Sequence, residues 1–172
     1  MLIRNEQPGD FDSIHKLVAA AFPTEAEARL VDLLRAAGRL HISLVAVQNE
    51  QIVGHVAFSP VTSANDTSSL GLGLAPLAVA EADGRRGVGA ALVRAGLQRC
   101  REMDVPYVVV LGEPEYYGRF GFRTAAECGL YDAYGGGAAF QVLELYEGGA
   151  PRDGGLVRYA QEFAIFDGDA AP

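Results

Sequence analysis

At 172 residues, 49% hydrophobic and 21% charged, the chain has the length and make-up of one folded domain that needs no metal or disulfide to complete its core. Its 14 basic and 22 acidic residues leave a net charge of −8, which argues against a general nucleic-acid binder but leaves room for a local basic site. Cys100 and Cys128 lack the spacing of a zinc site or disulfide framework. The N-terminal stretch turns polar at once, and no apolar run reaches membrane-spanning length, so a reduced, cytoplasmic protein with no membrane partner is expected.

Taken in chain order, residues 2–4 read as a short strand, followed by a turn at Pro8-Gly9-Asp10. Phe11, Ile14, Leu17, Val18 and Ala21 recur on one helical face, and Pro23 ends that helix. Leu30, Val31, Leu33, Leu34 and Ala37 mark a second helix, stopped by Gly38. Residues 43–48 (SLVAVQ) and 51–61 (QIVGHVAFSPV) flank the polar pair Asn49-Glu50 and predict a hairpin. The polar stretch 62–69 reads as a loop, and 70–79 (LGLGLAPLAV) as a buried strand with a bulge or break at Pro76. The strongest helical pattern spans 87–104, with Val88, Leu92, Val93, Gly96, Cys100 and Met103 on one face. Then come a buried-type strand at 107–111 (YVVVL), a short helix at 115–120, a glycine-rich stretch at 134–139, and strands at 140–146 and 156–166. The order β-α-α-β-β-β-α-β-α-β-β predicts one mixed α/β domain over residues 1–172.

The stretch most informative about chemistry is 77–92, LAVAEADGRRGVGAAL. A buried strand runs through a turn rich in Gly and Arg straight into a helix. The start of a helix presents unpaired N–H groups and partial positive charge. Gly84, Gly87 and Gly89 place no side chain in front of those amides, and Arg85 and Arg86 add two cations. The arrangement suits a phosphate-bearing ligand. It is not a Walker A loop, because Ala90 and Ala91 stand where Lys and Ser/Thr belong, and it is not a dinucleotide fingerprint, because Leu92 occupies the third glycine position.

The run LAVAEADGRRGVGAAL resembles motif A of the GNAT superfamily of N-acetyltransferases, the motif of Gln or Arg, two residues, Gly, one residue, then Gly or Ala. Gly87 and Gly89 match its small positions, Leu77-Ala78-Val79 matches the preceding strand, and Gly84 replaces the usual Gln or Arg. Residues 110–122 (VLGEPEYYGRFGF) resemble the family's last helix and following strand, most closely in the YhbS-like branch. Residues 21–35 and 52–61 agree with that branch as well. The resemblance is strongest over 2–125, with 126–172 supplying a loop and final strands.

The resemblance implies a mostly antiparallel central sheet flanked by helices and splayed at an acyl-CoA site. It implies acetyl-CoA as donor, with no metal. Leu77, Ala78 and Val79 would meet the acetyl carbonyl and pantetheine, and the backbone of Arg85, Arg86, Gly87, Val88, Gly89 and Ala90, beside Gly84, would meet the pyrophosphate. Tyr117 matches the tyrosine placed near the sulfur as general acid, a phenol that stays protonated at neutral pH. Glu113 is the foremost candidate to accept the amine's proton, ahead of Glu25, Glu27 and His55. For those three, a solvated or structurally bonded role is the commoner one. His15 and His41 show no partner pattern. The acceptor amine would be shaped by residues 22–42, 62–69 and 126–139, and belongs to either a small molecule or a protein. The alternatives are an acyl-CoA sensor of the same fold that does not turn over and, more distantly, a nucleotide switch. A homodimer paired across a sheet edge is compatible with such a fold.

Overall fold

The computed structural model describes residues 1–169, so the last three residues of the expected 1–172 domain lie outside the described residues. Its strands are β1 (Leu2–Asn5), β2 (Ile42–Gln48), β3 (Gln51–Ser63), β4 (Gly71–Val79), β5 (Tyr107–Leu111), β6 (Arg123–Thr124), β7 (Leu130–Tyr131), β8 (Phe140–Glu144) and β9 (Gly155–Tyr159). The helices are α1 (Phe11–Ala21), α2 (Ala26–Ala36), α3 (Val88–Glu102) and α4 (Pro114–Gly118). Most strand pairs are antiparallel; β4 with β5 and β7 with β9 are parallel. Two compact units are formed, one from Met1–Phe58, Pro76–Gly96 and the segment from Ala160, the other from Ser59–Ala75 and Leu97–Tyr159. Strands β3 and β4 and helix α3 each have residues in both units.

In the first unit β1, β2 and the first part of β3 form an antiparallel sheet, with Val45 opposite His55. Asn49 and Glu50 close the β2–β3 hairpin with φ of 48° and 63°, the left-handed pair that a tight two-residue hairpin turn requires. One sheet face is covered by α1 and α2, where Ile14, Val18, Ala28 and Val31 pack with Val45 and Ala78. Against Gly54 and Phe58, which alternation places on the opposite face, lies the N-terminal part of α3. A Cβ on Gly54 would stand 2.8 Å from Leu92 Cδ1 and Val88 Cγ1, and one on Gly96 would stand 2.4 Å from the Phe58 ring. Both glycines therefore serve close strand–helix packing.

The second unit is built on β5, which pairs in parallel with β4 over Leu72–Leu74 and antiparallel with β8. Its core gathers Val61, Tyr107, Val109, Leu130, Phe140, Val142 and Val157. Strand β4 runs through Pro76 without interruption, although its register with β5 covers only three of its residues.

The expected last strand at 156–166 is half right. β9 stops at Tyr159, the residue paired with Val61 at the end of the β3 register, and Gln161–Asp169 turn into a 3-10 helix. Phe163 and Ile165, inside the expected strand, belong to that helical turn.

Candidate active site

Strand β4 delivers the chain to the phosphate-type loop. Along its last residues Pro76 and Ala78 are buried while Leu77 and Val79 are half-buried, so the strand end is one-sided. Ala80 ends the strand by donating its N–H to Val53 O at 2.9 Å. A 3-10 turn at Glu81–Asp83 follows, and Gly84 N–H closes it onto Glu81 O at 3.1 Å. A Cβ on Gly84 would lie 3.1 Å from that same carbonyl, a tight fit that explains how the departure from Gln or Arg is accommodated.

The next residues carry the strain. Arg85 has φ +62° and Gly87 φ +82°, so two left-handed residues bracket Arg86 immediately before α3. Ala91 donates to Gly87 O at 2.9 Å as the helix begins, which leaves the first-turn amides of Val88, Gly89 and Ala90 without acceptors inside the helix. No acidic side chain occupies that turn, while Arg99 and Arg101 sit in the last one, so the charges run with the helix dipole. Arg85, Arg86 and Gly87 are exposed. Arg86 lies 3.6 Å from Asp83, a loose surface pair that leaves its guanidinium accessible. The predicted loop residues are thus brought together as an exposed, cationic turn with open amides.

Tyr117 and Glu113 lie in the other unit, on and before α4. Glu113 is exposed and precedes the helix, its carbonyl accepting the N–H of Tyr117 at 3.0 Å. Tyr117 is only 8% exposed and packs edge-on against Tyr116 and Phe122. Burial, reinforced by Tyr116, pushes its phenol up to about 12. The ring lies directly against Gly112, where a Cβ would be 2.4 Å from Tyr117 Cε2. That seat was not read from the sequence, although a glycine ending an apolar strand is the sign of it.

Among the secondary candidates, Glu25 is exposed and paired loosely with Arg29. His15, which sequence left without a partner, bonds Asp32 at 2.7 Å through Nδ1. His55 is fully buried with Nε2 2.8 Å from Ser43 Oγ, and burial pushes its pKa down to about 4.

The family model described as an acetyltransferase (GNAT) domain matches residues 2–125. The N-acetyltransferase YhbS of Escherichia coli K12 is 41% identical over 168 residues, which cover 96% of this chain and all of the relative. The crystal structure of E. coli YhbS in complex with CoA matches with a TM-score of 0.89 at 41% identity, covering 94% of this chain and 91% of that one. A GNAT acetyltransferase from Brucella melitensis in complex with acetyl-CoA matches with a TM-score of 0.80 at 35% identity, covering 94% and 97%.

Proposed function

The chain belongs to the GNAT family and is an N-acetyltransferase, and on that premise we propose that it carries the acetyl group of acetyl-CoA to an amine, with 77–90 as the donor site. The observation that carries this reading is the loop itself: two left-handed residues and the open amides of a helix start beneath two exposed arginines, in a chain of net charge −8. The matched structures with CoA and acetyl-CoA support it. Backbone groups of Leu77 and Val79, on either side of Ala78, bind the acetyl carbonyl and pantetheine; these residues lie beyond the stretch of β4 in register with β5. Amides from Arg85 to Ala90, including Val88 and Gly89, bind the pyrophosphate, and Gly84 sets the turn.

The residues then divide the proton work. As the amine nitrogen forms its bond to the thioester carbon and the C–S bond breaks, Tyr117 gives its phenolic proton to the departing thiolate. Pushed up to about 12 by burial, the phenol is protonated through neutral pH and so holds a proton to give. Glu113, exposed at the head of α4, passes the amine's proton to water. The same reading takes residues 1–172 as one cytoplasmic domain. It keeps a homodimer paired across a sheet edge as part of the same reading.

Isothermal titration with acetyl-CoA, using ATP–Mg²⁺ as control, tests the donor site, and release of CoA across a panel of amines tests turnover. Tyr117→Phe is expected to retain acetyl-CoA binding and lose about a hundredfold or more in turnover. Unchanged turnover removes Tyr117 from the chemistry. Binding of acetyl-CoA without CoA release from any amine favours the sensor.

A further inference from the structure

In strand β8 Phe140 and Val142 are buried, and Gln141 between them is only 2% exposed. Its backbone is committed to the sheet, paired with Val110 of β5 on one side and Thr124 of β6 on the other. The ladder makes no use of the side chain, and an amide taken out of water is costly unless its hydrogens find acceptors. They find two backbone carbonyls. Gln141 Nε2 donates to Gly112 O at 3.2 Å and, more weakly, to Ala139 O at 3.4 Å.

Those two carbonyls belong to one junction. Gly112 follows the last residue of β5 and donates its own N–H to Ala139 O at 2.9 Å. The peptide before Gly112 is thus held through its N–H, and the peptide after it through its C=O. A glycine can take many conformations, and fixing the two planes that flank its Cα selects one. The space that a side chain would fill there is taken by Tyr117: a Cβ on Gly112 would stand 2.4 Å from Tyr117 Cε2 and 3.0 Å from Cδ2. One residue on, Glu113 O accepts the N–H of Tyr117 at 3.0 Å. The chain leaves the clamp, makes one turn of α4, and lays the ring back on the glycine it has just passed. Tyr116 and Phe122 meet that ring edge-on, with centroids at 5.0 and 5.8 Å. Such pairs are favourable anywhere between about 4.5 and 7 Å, so they keep the ring in its cluster without fixing its place. The backbone of Gly112 fixes it.

We propose that Gln141 is a positioning residue for acetyl transfer: by fastening the Gly112 carbonyl it holds the seat that aims the Tyr117 phenol. The inference rests on the reading of Tyr117 as the acid that protonates the departing thiolate, and it adds the residue on which that acid depends. Gln141 acts through Gly112 and not on the reacting atoms.

Two substitutions in the full chain test this. Gln141→Leu keeps a similar volume and removes both donors, whereas Gln141→Glu keeps the shape and exchanges the amide for a carboxyl. Labelling with [ζ-¹³C]tyrosine gives Tyr117 a resonance of its own, identified by its absence from Tyr117→Phe. Gln141→Leu is expected to shift that resonance. It should also slow CoA release from acetyl-CoA with propylamine about tenfold or more, with the acetyl-CoA Kd unchanged, since a misplacement of about 1 Å can cost a hundredfold in rate. In the Tyr117→Phe background the same substitution should add little further loss, because the group being aimed is gone. A protonated carboxyl has one O–H to give the Gly112 carbonyl, and a carboxylate has none. The rate of Gln141→Glu relative to the native chain should therefore recover as pH falls, and that of Gln141→Leu should not, so the outcome does not hang on one variant folding. An unmoved Tyr117 resonance, an equal loss of rate with and without Tyr117, or a Gln141→Glu rate that follows Gln141→Leu at every pH overturns the proposal. Unchanged turnover in Tyr117→Phe would instead strike the general-acid reading. If propylamine draws no CoA from the native chain, the resonance alone decides whether Gln141 holds the ring.

Discussion

Replacing Gly87 by alanine separates the loop's backbone chemistry from its packing. Gly87 has φ +82°, and a Cβ there meets no heavy atom within 4 Å. No clash arises, so the stability cost is the left-handed penalty alone, about 1–2 kcal/mol. In a chain of this size each kcal/mol moves Tm by roughly 2–4 °C, which predicts a fall of about 2–8 °C. The effect on acetyl-CoA is separate, because the methyl group lies beside the amides assigned to the pyrophosphate. Losing one charge-assisted hydrogen bond there raises Kd about tenfold or more. Arg85→Gly is the counterpart, since Arg85 holds φ +62° without being glycine. Relief of that strain, offset by the greater freedom of glycine in the unfolded chain, gives a gain of up to about 1 kcal/mol. Loss of the guanidinium nonetheless weakens acetyl-CoA. Thermal melts and titration calorimetry on both variants read the two effects independently. A Gly87→Ala protein with the expected Tm loss and an unchanged Kd refutes the pyrophosphate assignment, and a fall in Tm for Arg85→Gly refutes the strain argument.

Three other outcomes are expected. Gly54→Ala drives a Cβ to 2.8 Å from Leu92 Cδ1 and Val88 Cγ1; the overpacking should cost about 1–3 kcal/mol and, because Val88 opens α3, weaken acetyl-CoA as well. Acid should destabilise the fold through His55: its folded pKa is about 4 against 6.5, so the unfolded chain binds the extra proton between those values. The full loss is about 3 kcal/mol as pH falls from 6.5 towards 4. Glu6 is subject to a burial effect that would raise its pKa, but hydrogen bonds from Arg35 and Ser43 overcome it and hold the carboxyl below its usual range. Its contribution is therefore lost in the same direction, below about pH 4.5. Urea midpoints across pH 4–7 should fall steeply on the acid side in the native chain and less in His55→Gln; equal slopes would remove His55 from the linkage. The third outcome concerns domain number. Since β3, β4 and α3 contribute residues to both compact units, unfolding should be one transition by circular dichroism and tyrosine fluorescence, and two separated transitions would contradict a single domain.

Much of the fold was readable because its signals are local. The apolar spacing from Phe11 to Ala21 and from Val88 onward marks α1 and α3 to within two residues of their ends. The polar pair Asn49-Glu50 marks the hairpin, and its two left-handed residues carry the turn. Where a boundary depends on a distant partner, the reading slips. Nothing local in 156–166 says that the register of β9 with β3 ends at Val61, so a strand was expected where the chain winds into a 3-10 helix. The two-residue strands β6 and β7 are set by pairing with β8 and β9, and are too short to carry a period of their own.

The same division separates the proposed donor loop from the buried polar network of the first unit. Phosphates are held by backbone amides, and a chain exposes consecutive amides only through glycine spacing and a helix start, both of which can be seen in residues 84–90. The buried polar network of the first unit is made of side chains that converge from separate elements: Glu6 after β1, Arg35 on α2, Ser43 on β2 and His55 on β3. No spacing rule joins Glu6 to Ser43 or to Arg35, and from sequence each is an ordinary polar residue. Their meaning lies in an accounting of protons that needs the geometry: one hydroxyl proton, committed to a carboxylate, leaves one imidazole nitrogen bare. A site made of backbone is therefore visible in the order of residues, whereas a network made of side chains becomes visible only once the sheet has paired and α2 has closed over it.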